Sequence, residues 1–287
     1  MATLRIAFLG QCLVHGYPGV DRDETFPEIL RRRLLADWPG LTPVVSADSY
    51  YHPSELPSRI AGVAERRAAD VVIVDVAGYF AARDMGAVDL SRLPRAIRHA
   101  YERVRHLRAV AKGLLQTYPA TAGLVRRIET TGVALADGAL RPLLQRYPAP
   151  TLREYEALLT DGIRAARRNR KLTIVLQGPG MFNDDEVDRR YAPDTQQIYR
   201  AVNAMTRRLA DAHRLLFVDR MAVTDSRSVC LPGTIRLCAH GHRVMGDALL
   251  ASLKQAGVLS TEKPARRAQQ AEQRGTSSRM DTWSRER

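Results

Sequence analysis

Five short apolar runs, rich in β-branched residues, constrain the fold of this 287-residue chain more than any other feature. They lie at Leu4–Leu9, Pro43–Ala47, Asp70–Val76, Leu172–Leu176 and Leu215–Val218, and polar or turn-forming residues bound each of them. Runs of this kind are typical of strands buried on both faces of a parallel sheet. Because helical patterns alternate with them, we predict a flavodoxin-like α/β fold: a three-layer sandwich with a five-stranded parallel sheet in the order 2-1-3-4-5.

Helical periodicity fills most of the intervals between these runs. Within the last patterned interval before the fourth run, Thr151 is followed three residues later by Glu154, which is the spacing of a capping box. The stretch at about 83–150 is longer than one crossover helix needs. We interpret it as a helical insertion, either a lid or dimer contact beside the ligand crevice or a unit packed on the far face. The helical patterns run over Thr25–Ala36, Ser54–Ala69, Thr151–Arg168, Gln196–His213 and Gly241–Ala256.

Composition favours one domain followed by a tail. Residues 1–259 can bury a single core, whereas residues 260–287 lose periodicity and predict a basic disordered tail. The tail has seven basic and four acidic residues, so it supplies only +3 of the net charge of +13. We interpret the other basic residues as solvated helix faces, with a rim that attracts an anionic substrate as the alternative, and we expect no nucleic-acid partner.

The cysteines and the N-terminus favour a reducing compartment. Cys12, Cys230 and Cys238 are sparse, and no two of them have zinc-ligand spacing. The chain runs directly into its first strand without the features of a signal peptide, and no apolar run approaches the ~18 residues of a membrane-spanning helix. We therefore expect a cytoplasmic protein without membrane, metal or cofactor. A metal site of Cys12, Cys238 and His240 is a weaker alternative, because no further ligands have the required spacing.

The turn after the first run resembles the nucleophile motif of the SGNH (GDSL-type) hydrolases. Residues 10–17 read GQCLVHGY, whereas members of that family usually read Gly-Asp-Ser-Leu-x-x-Gly-Tyr with the serine as nucleophile. Four of these six defined positions are kept, and Gln11 and Cys12 stand in place of aspartate and serine. The resemblance implies the SGNH hydrolase fold, and it places a thiol where the family has its nucleophile.

Other motifs of that family are altered. Tyr51 lies at about the position of a glycine whose N–H points into the oxyanion hole. Gly78 is kept, but Phe80 replaces the oxyanion asparagine. Near the final helix, Gly233 and Arg236 stand where the family has its catalytic aspartate and histidine. The resemblance thus places the oxyanion and pocket residues at Gly10, Tyr51, Gly78, Phe80 and Arg236.

A thiolate nucleophile needs a base, and three histidines are candidates. His240, just before the final helix and offset by four residues from the family's histidine, is our first choice, and His15 and His52 are the others. His242 matches a second, non-catalytic histidine of the family and is expected to pack or to cap. Backbone N–H groups beside Cys12, near a helix start, are expected to lower its pKa or to stabilise an oxyanion.

Two functions follow from this pattern. The first is an ester or acyl hydrolase, or an acyltransferase, acting on a small and possibly anionic substrate through a Cys12 thioester, with His240 as base. The second is a catalytically inactive domain that binds a small acyl or anionic ligand, or a protein partner. Four altered family letters favour the second function, and the nucleophilic atom kept at position 12 favours the first, which we adopt. Non-hydrolytic chemistry in the crevice is a third possibility.

Overall fold

The computed structural model of the chain describes residues 2–10, 12–16, 20–50, 53–78, 150–168, 172–180, 195–223 and 237–259. In these ranges five parallel strands form one sheet in the order β2-β1-β3-β4-β5, which confirms the predicted order. Every strand boundary lies within two residues of its prediction. The strands are β1 (Ala2–Gly10), β2 (Leu41–Ser49), β3 (Val71–Asp75), β4 (Thr173–Gln177) and β5 (Leu216–Val218).

Seven helices lie in the described ranges, and five of them match predicted helices. The other two, α1 and α6, have only four residues each and so carry no periodic pattern that would predict them. The helices are α1 (Cys12–His15), α2 (Phe26–Asp37), α3 (Leu56–Arg66), α4 (Leu152–Ala166), α5 (Thr195–His213), α6 (Arg220–Val223) and α7 (Ala239–Gln255).

Local chemistry explains where two of these helices begin and end. The capping box that starts α4 is confirmed: Glu154 N–H donates to Thr151 Oγ1 at 3.2 Å, and Thr151 N–H donates to the Glu154 carboxylate at 2.8 Å. Helix α3 is shorter than predicted at both ends. Pro53–Glu55 form a separate 3-10 turn, and Ala68 has a left-handed φ of 45°, which an α-helix does not tolerate.

Helices cover both faces of the sheet, as predicted for a three-layer sandwich. The alternation of side chains along β1 divides the core. Ile6 and Phe8 pack in the cluster with α2 and α7, while Ala7 and Leu9 pack in the cluster with α3, α4 and α5. β1 is therefore buried on both faces and lies near the centre of the sheet, so its carboxyl end opens onto the middle of the crevice.

Several predictions concern residues outside the described ranges. These are the tail at 260–287, the insertion at about 83–150 apart from Pro150, and the pocket residues Tyr51, Phe80 and Arg236. In the part of the chain that is described, no helix has the length and apolar character needed to cross a membrane.

Candidate active site

The carboxyl ends of the strands form one edge of the sheet, and their register fixes which residues share it. Gly10 at the end of β1 pairs with Ser49 at the end of β2. Asp75 at the end of β3 pairs with Gln177 at the end of β4, which in turn pairs with Val218. In open α/β sheets ligands bind at this edge. The candidate site therefore begins with the residues that end these strands.

Gly10 allows helix α1 to approach the end of β3. A Cβ atom at Gly10 would lie 2.8 Å from Val14 Cγ1 and 3.1 Å from Asp75 Cβ, so any larger residue would push these elements apart. Cys12 begins α1 two residues after β1 ends, where it was predicted. Its side chain lies outside the described part of the structure, so its role as nucleophile stays a prediction.

A hydroxyl–imidazole pair lies beside this turn. His15, the last residue of α1, places Nε2 2.7 Å from the Oγ atom of Ser49. Partial burial is the main cause that lowers the pKa of His15; the charge of Arg22 also lowers it, and Asp48 opposes both. The imidazole is therefore neutral near pH 7 and able to accept a proton. This separation is that of a hydrogen bond, and it lies within the range a nucleophile and its base would need.

Buried tyrosines fix the segment that follows β3. The Tyr50 hydroxyl donates to the Asp75 carbonyl at 2.6 Å and accepts the Ala77 N–H at 3.2 Å. The Tyr155 hydroxyl donates to the Ala77 carbonyl at 3.2 Å. Burial raises the pKa of Tyr50 well above its usual range, so the phenol stays protonated as a donor. The backbone leading to Gly78 is thus held by hydrogen bonds to both the N–H and the carbonyl of Ala77.

Gly78, a predicted oxyanion residue, is buried under an aromatic ring. A Cβ atom there would lie 2.7 Å from the ring of Tyr199, so only glycine fits between the ring and the backbone. This contact gives a packing reason for glycine at position 78. The oxyanion role of Gly78 remains a prediction.

A buried ion pair lies below the crevice. Asp75 and Arg220 are only 3% and 5% exposed, and Asp75 Oδ1 lies 3.2 Å from Arg220 Nη1. Gln177 Nε2 donates to the same carboxylate oxygen at 3.4 Å. Burial raises the pKa of Asp75, and the positive charge of Arg220 opposes that shift. A Cβ atom at Gly180 would lie 2.6 Å from Arg220 Nε, so glycine leaves room for the guanidinium.

Neither this ion pair nor the hydrogen bond between Ser49 and His15 was predicted from the sequence. The available signal was positional: Ser49, Asp75 and Gln177 are polar residues that end predicted strands at one edge of the sheet. Polar residues at the carboxyl ends of neighbouring parallel strands meet at the ligand crevice. Arg220 had no such signal, because it follows β5 in a short helix without a periodic pattern.

His242 is a structural residue, which confirms the expectation that it packs or caps. Its Nδ1 accepts the N–H of Phe26, the first residue of α2, at 3.1 Å, and the two rings stack with centroids 5.6 Å apart. The N-cap residue Thr25 makes no side-chain cap hydrogen bond, and its hydroxyl donates to the Arg22 carbonyl. Burial, together with the charge of Arg220, lowers the pKa of His242 to about 4.

The residues around the start of α7 have capping and surface positions, and the metal site of Cys12, Cys238 and His240 stays untested because the Cys12 side chain lies outside the described part of the structure. Cys238 is the N-cap of α7, where its Sγ accepts the Gly241 N–H at 3.5 Å. The His240 ring, in the first turn of α7, is exposed and makes no hydrogen bond to another described residue. Among the residues with described positions, no group of three His, Cys, Asp or Glu side chains could hold a metal ion. His52 lies outside these ranges, so only His15 has a defined partner at the crevice.

Comparisons with known proteins identify the fold. No family model and no curated sequence matches the chain. Solved structures do: an alpha/beta hydrolase enzyme from the metagenome of Lake Arreo, Spain, has a TM-score of 0.53 and 14% identity over 88% of this chain and 96% of its own. A catalytic mutant of an acetylxylan esterase from Geobacillus stearothermophilus has a TM-score of 0.51 and 14% identity over 88% and 95%. The lipase/acylhydrolase from Enterococcus faecalis has a TM-score of 0.51 and 11% identity over 88% and 96%.

The chain has the SGNH hydrolase fold. At identities of 11–14%, the similarity shows the fold but not the activity, because proteins of one fold have many different functions. Any activity must therefore be argued from the residues at the crevice.

Proposed function

We propose that this chain is an ester or acyl hydrolase, or an acyltransferase, that works through a thioester on Cys12. The observation that carries the proposal is the position of Cys12. It is the first residue of α1, immediately beyond the carboxyl end of the buried strand β1. Ligands bind at this place in open α/β sheets. Proteins with the same fold include an acetylxylan esterase and a lipase/acylhydrolase, which supports acyl chemistry as the reaction class.

The reaction would proceed in two steps. A histidine takes the proton of the Cys12 thiol, and the thiolate attacks the carbonyl carbon of the substrate. The bond to the leaving oxygen then breaks, and the histidine gives its proton to the leaving alkoxide, which departs as the alcohol. Water then attacks the thioester and releases the acid, or an acceptor alcohol attacks and carries the acyl group away. The backbone N–H groups of Cys12 and Gly78 are the proposed oxyanion donors.

The structure favours a different base from the one preferred on sequence grounds. Residues three apart share one side of a helix, and His15 follows Cys12 by three residues in α1. Both residues are exposed, but His15 is neutral near pH 7 with Nε2 2.7 Å from the Ser49 hydroxyl, whereas His240 makes no hydrogen bond to a described residue. We therefore propose His15 as the base, and His240 is the alternative that the experiment must distinguish.

Acylation by a chromogenic activated ester tests the proposal. Mass spectrometry should find the acyl group on Cys12 in preference to Cys230 and Cys238, and Cys12→Ala should remove that adduct and lower turnover. His15→Ala should slow acylation by roughly a hundredfold, the usual scale for loss of a general base. His213→Ala is the matched control, because the pKa of His213 is also lowered by burial although it lies at the end of α5.

Three results would overturn these assignments. If Cys12 reacts no faster in the folded protein than in the denatured chain and the parent turns over no ester, the thioester reaction is refuted and the inactive binding domain takes its place. If the parent is active and Cys12→Ala keeps that activity, a residue other than Cys12 is the nucleophile. If instead His240→Ala slows acylation while His15→Ala does not, the thiol assignment stands and the base is His240.

A further inference from the structure

Ser49 and His15 form a second candidate nucleophile–base pair. The proposed Cys12 reaction uses His15 as its base but does not use Ser49. The Oγ–Nε2 distance of 2.7 Å is in the range expected for a serine hydroxyl whose proton is about to be taken by imidazole. Ser49 is half-buried at the end of β2, so a substrate in the crevice can reach its hydroxyl. In the tautomer of the neutral ring that carries its proton on Nδ1, Nε2 accepts the Ser49 hydroxyl, and in the other tautomer Nδ1 would be the acceptor for the Cys12 thiol.

Packing on both sides holds the pair in place. Ser49 is paired with Gly10, and the next residue, Tyr50, is fully buried and donates its N–H to the Gly10 carbonyl at 3.2 Å. On the other side, α1 is packed so closely on Gly10 that a Cβ atom there would meet Val14 at 2.8 Å. The backbones carrying the hydroxyl and the imidazole are therefore both fixed to the end of β1, which is the preorganisation that a catalytic pair needs.

The charges around His15 come from three elements. Asp48 on β2 favours the protonated ring, and Arg22 in the turn before α2 disfavours it. Asp48 also faces Arg67 at the end of α3, with 3.5 Å between carboxylate and guanidinium. Because burial is the largest effect and Arg22 adds to it, the ring stays neutral above about pH 6.5, its ordinary pKa.

We propose that Ser49 is a second acyl-accepting nucleophile in this crevice, with His15 as its base. This inference rests on the proposed function, because Ser49 would react with the same esters as Cys12. Ser49 Oγ forms a bond to the carbonyl carbon while its proton moves to His15 Nε2. The bond to the leaving alcohol then breaks, and that alcohol takes the proton from the imidazolium. The products are an oxyester on Ser49, a free alcohol and a neutral His15, and water releases the acid by the reverse sequence.

A fluorophosphonate probe tests this pair separately from Cys12. The probe forms a P–O bond to an activated serine and displaces fluoride, and peptide mapping by mass spectrometry locates the adduct. We expect Ser49 to be labelled at least roughly a hundredfold faster than Ser46, a half-buried serine of the same strand. Labelling should survive in Cys12→Ala, fall by a similar factor in His15→Ala, and be unchanged in His213→Ala.

The pH dependence separates chemistry from structure. The labelling rate of Ser49 should rise through an apparent pKa below 6.5, because the ring of His15 is neutral above that value. A merely structural hydrogen bond would give no such profile. Thermal unfolding of Ser49→Ala should match the parent, since the substitution removes one hydroxyl from a half-buried strand end.

The outcomes distinguish this inference from the proposed function. If Cys12 is acylated by the ester but Ser49 is labelled no faster than Ser46, the second nucleophile is refuted and the thioester reaction stands. If Ser49 is labelled while Cys12 is not acylated, the serine pair stands and the thioester fails. Labelling of Ser49 that is unaffected by His15→Ala would refute His15 as its base.

Discussion

Protonation of His242 should destabilise the folded chain, and the effect can be isolated from other titrating groups. His242 is fully buried, and its Nδ1 accepts the N–H that begins α2, so the folded state requires the neutral ring. Its folded pKa is about 4 against an ordinary value of 6.5. Between these two values the unfolded chain binds a proton that the folded chain does not. Stability is therefore fully present above pH 6.5 and is lost as pH falls towards 4.

The size of the effect follows from the shift. A single site that titrates at 6.5 when unfolded and at about 4 when folded removes about 2 kcal/mol of unfolding free energy between pH 7 and pH 5. His15 and His213 shift in the same direction, and Asp75 shifts in the direction that opposes them. A variant that changes only position 242 is therefore needed.

His242→Asn is that variant, because its side-chain oxygen can accept the Phe26 N–H and does not titrate. Urea unfolding of both proteins, followed by circular dichroism at pH 7 and pH 5, gives the loss of stability for each. The parent should lose about 2 kcal/mol more than the variant. Equal losses, within about 0.5 kcal/mol, would show that the ring is not held neutral by burial and would refute the reasoning.

Three further substitutions test the packing around the crevice by urea midpoint. Gly10→Ala should destabilise the fold by about 1–3 kcal/mol because its Cβ overlaps neighbours, whereas Gly40→Ala, with no atom within 4 Å of the new Cβ, should change it by less than about 0.5 kcal/mol. Arg220→Ala should lower the free energy of unfolding by about 3–5 kcal/mol, because it leaves the Asp75 carboxylate buried without its ion-pair partner. The double variant Asp75→Asn, Arg220→Met should recover most of that stability. No recovery would contradict the ion-pair argument. Thr151→Ala removes the capping box of α4 and should lower the free energy of unfolding by about 1 kcal/mol. An unchanged urea midpoint would mean that α4 does not depend on its cap.

The architecture was predictable because its signals are local. Each strand is a short β-branched run, and β1 with all of Ile6 to Leu9 buried reads as an uninterrupted apolar segment. Thr151 and Glu154, within four residues, form a capping-box pattern that predicts the start of a helix. Alternation of such strands and helices then restricts the sheet to few topologies, because crossovers between parallel strands share one handedness.

The candidate site was less predictable because its contacts join distant segments. Ser49 and His15 are 34 residues apart, and Arg220 and Asp75 are 145 apart. Neither pair has a sequence motif, and each depends on the register of neighbouring strands. His240 was preferred from a family position, but a residue's place in a motif does not reveal whether its ring has a partner. Only the packing of α1 against β2 shows that His15 has one.

The bond between Phe26 and His242 has a consequence for synthesis of the chain on the ribosome. The two residues are 216 positions apart, so at about 5–20 residues per second the partner of Phe26 emerges roughly 10–40 s later. The same delay applies to the contact of Ile29 with Gly246, where α7 approaches so closely that a Cβ atom would meet Ile29 at 2.7 Å. During this interval the side of α2 that later packs on α7 has no native partner. A nascent chain arrested before α7 should therefore bind chaperones at α2, and release them once α7 has emerged.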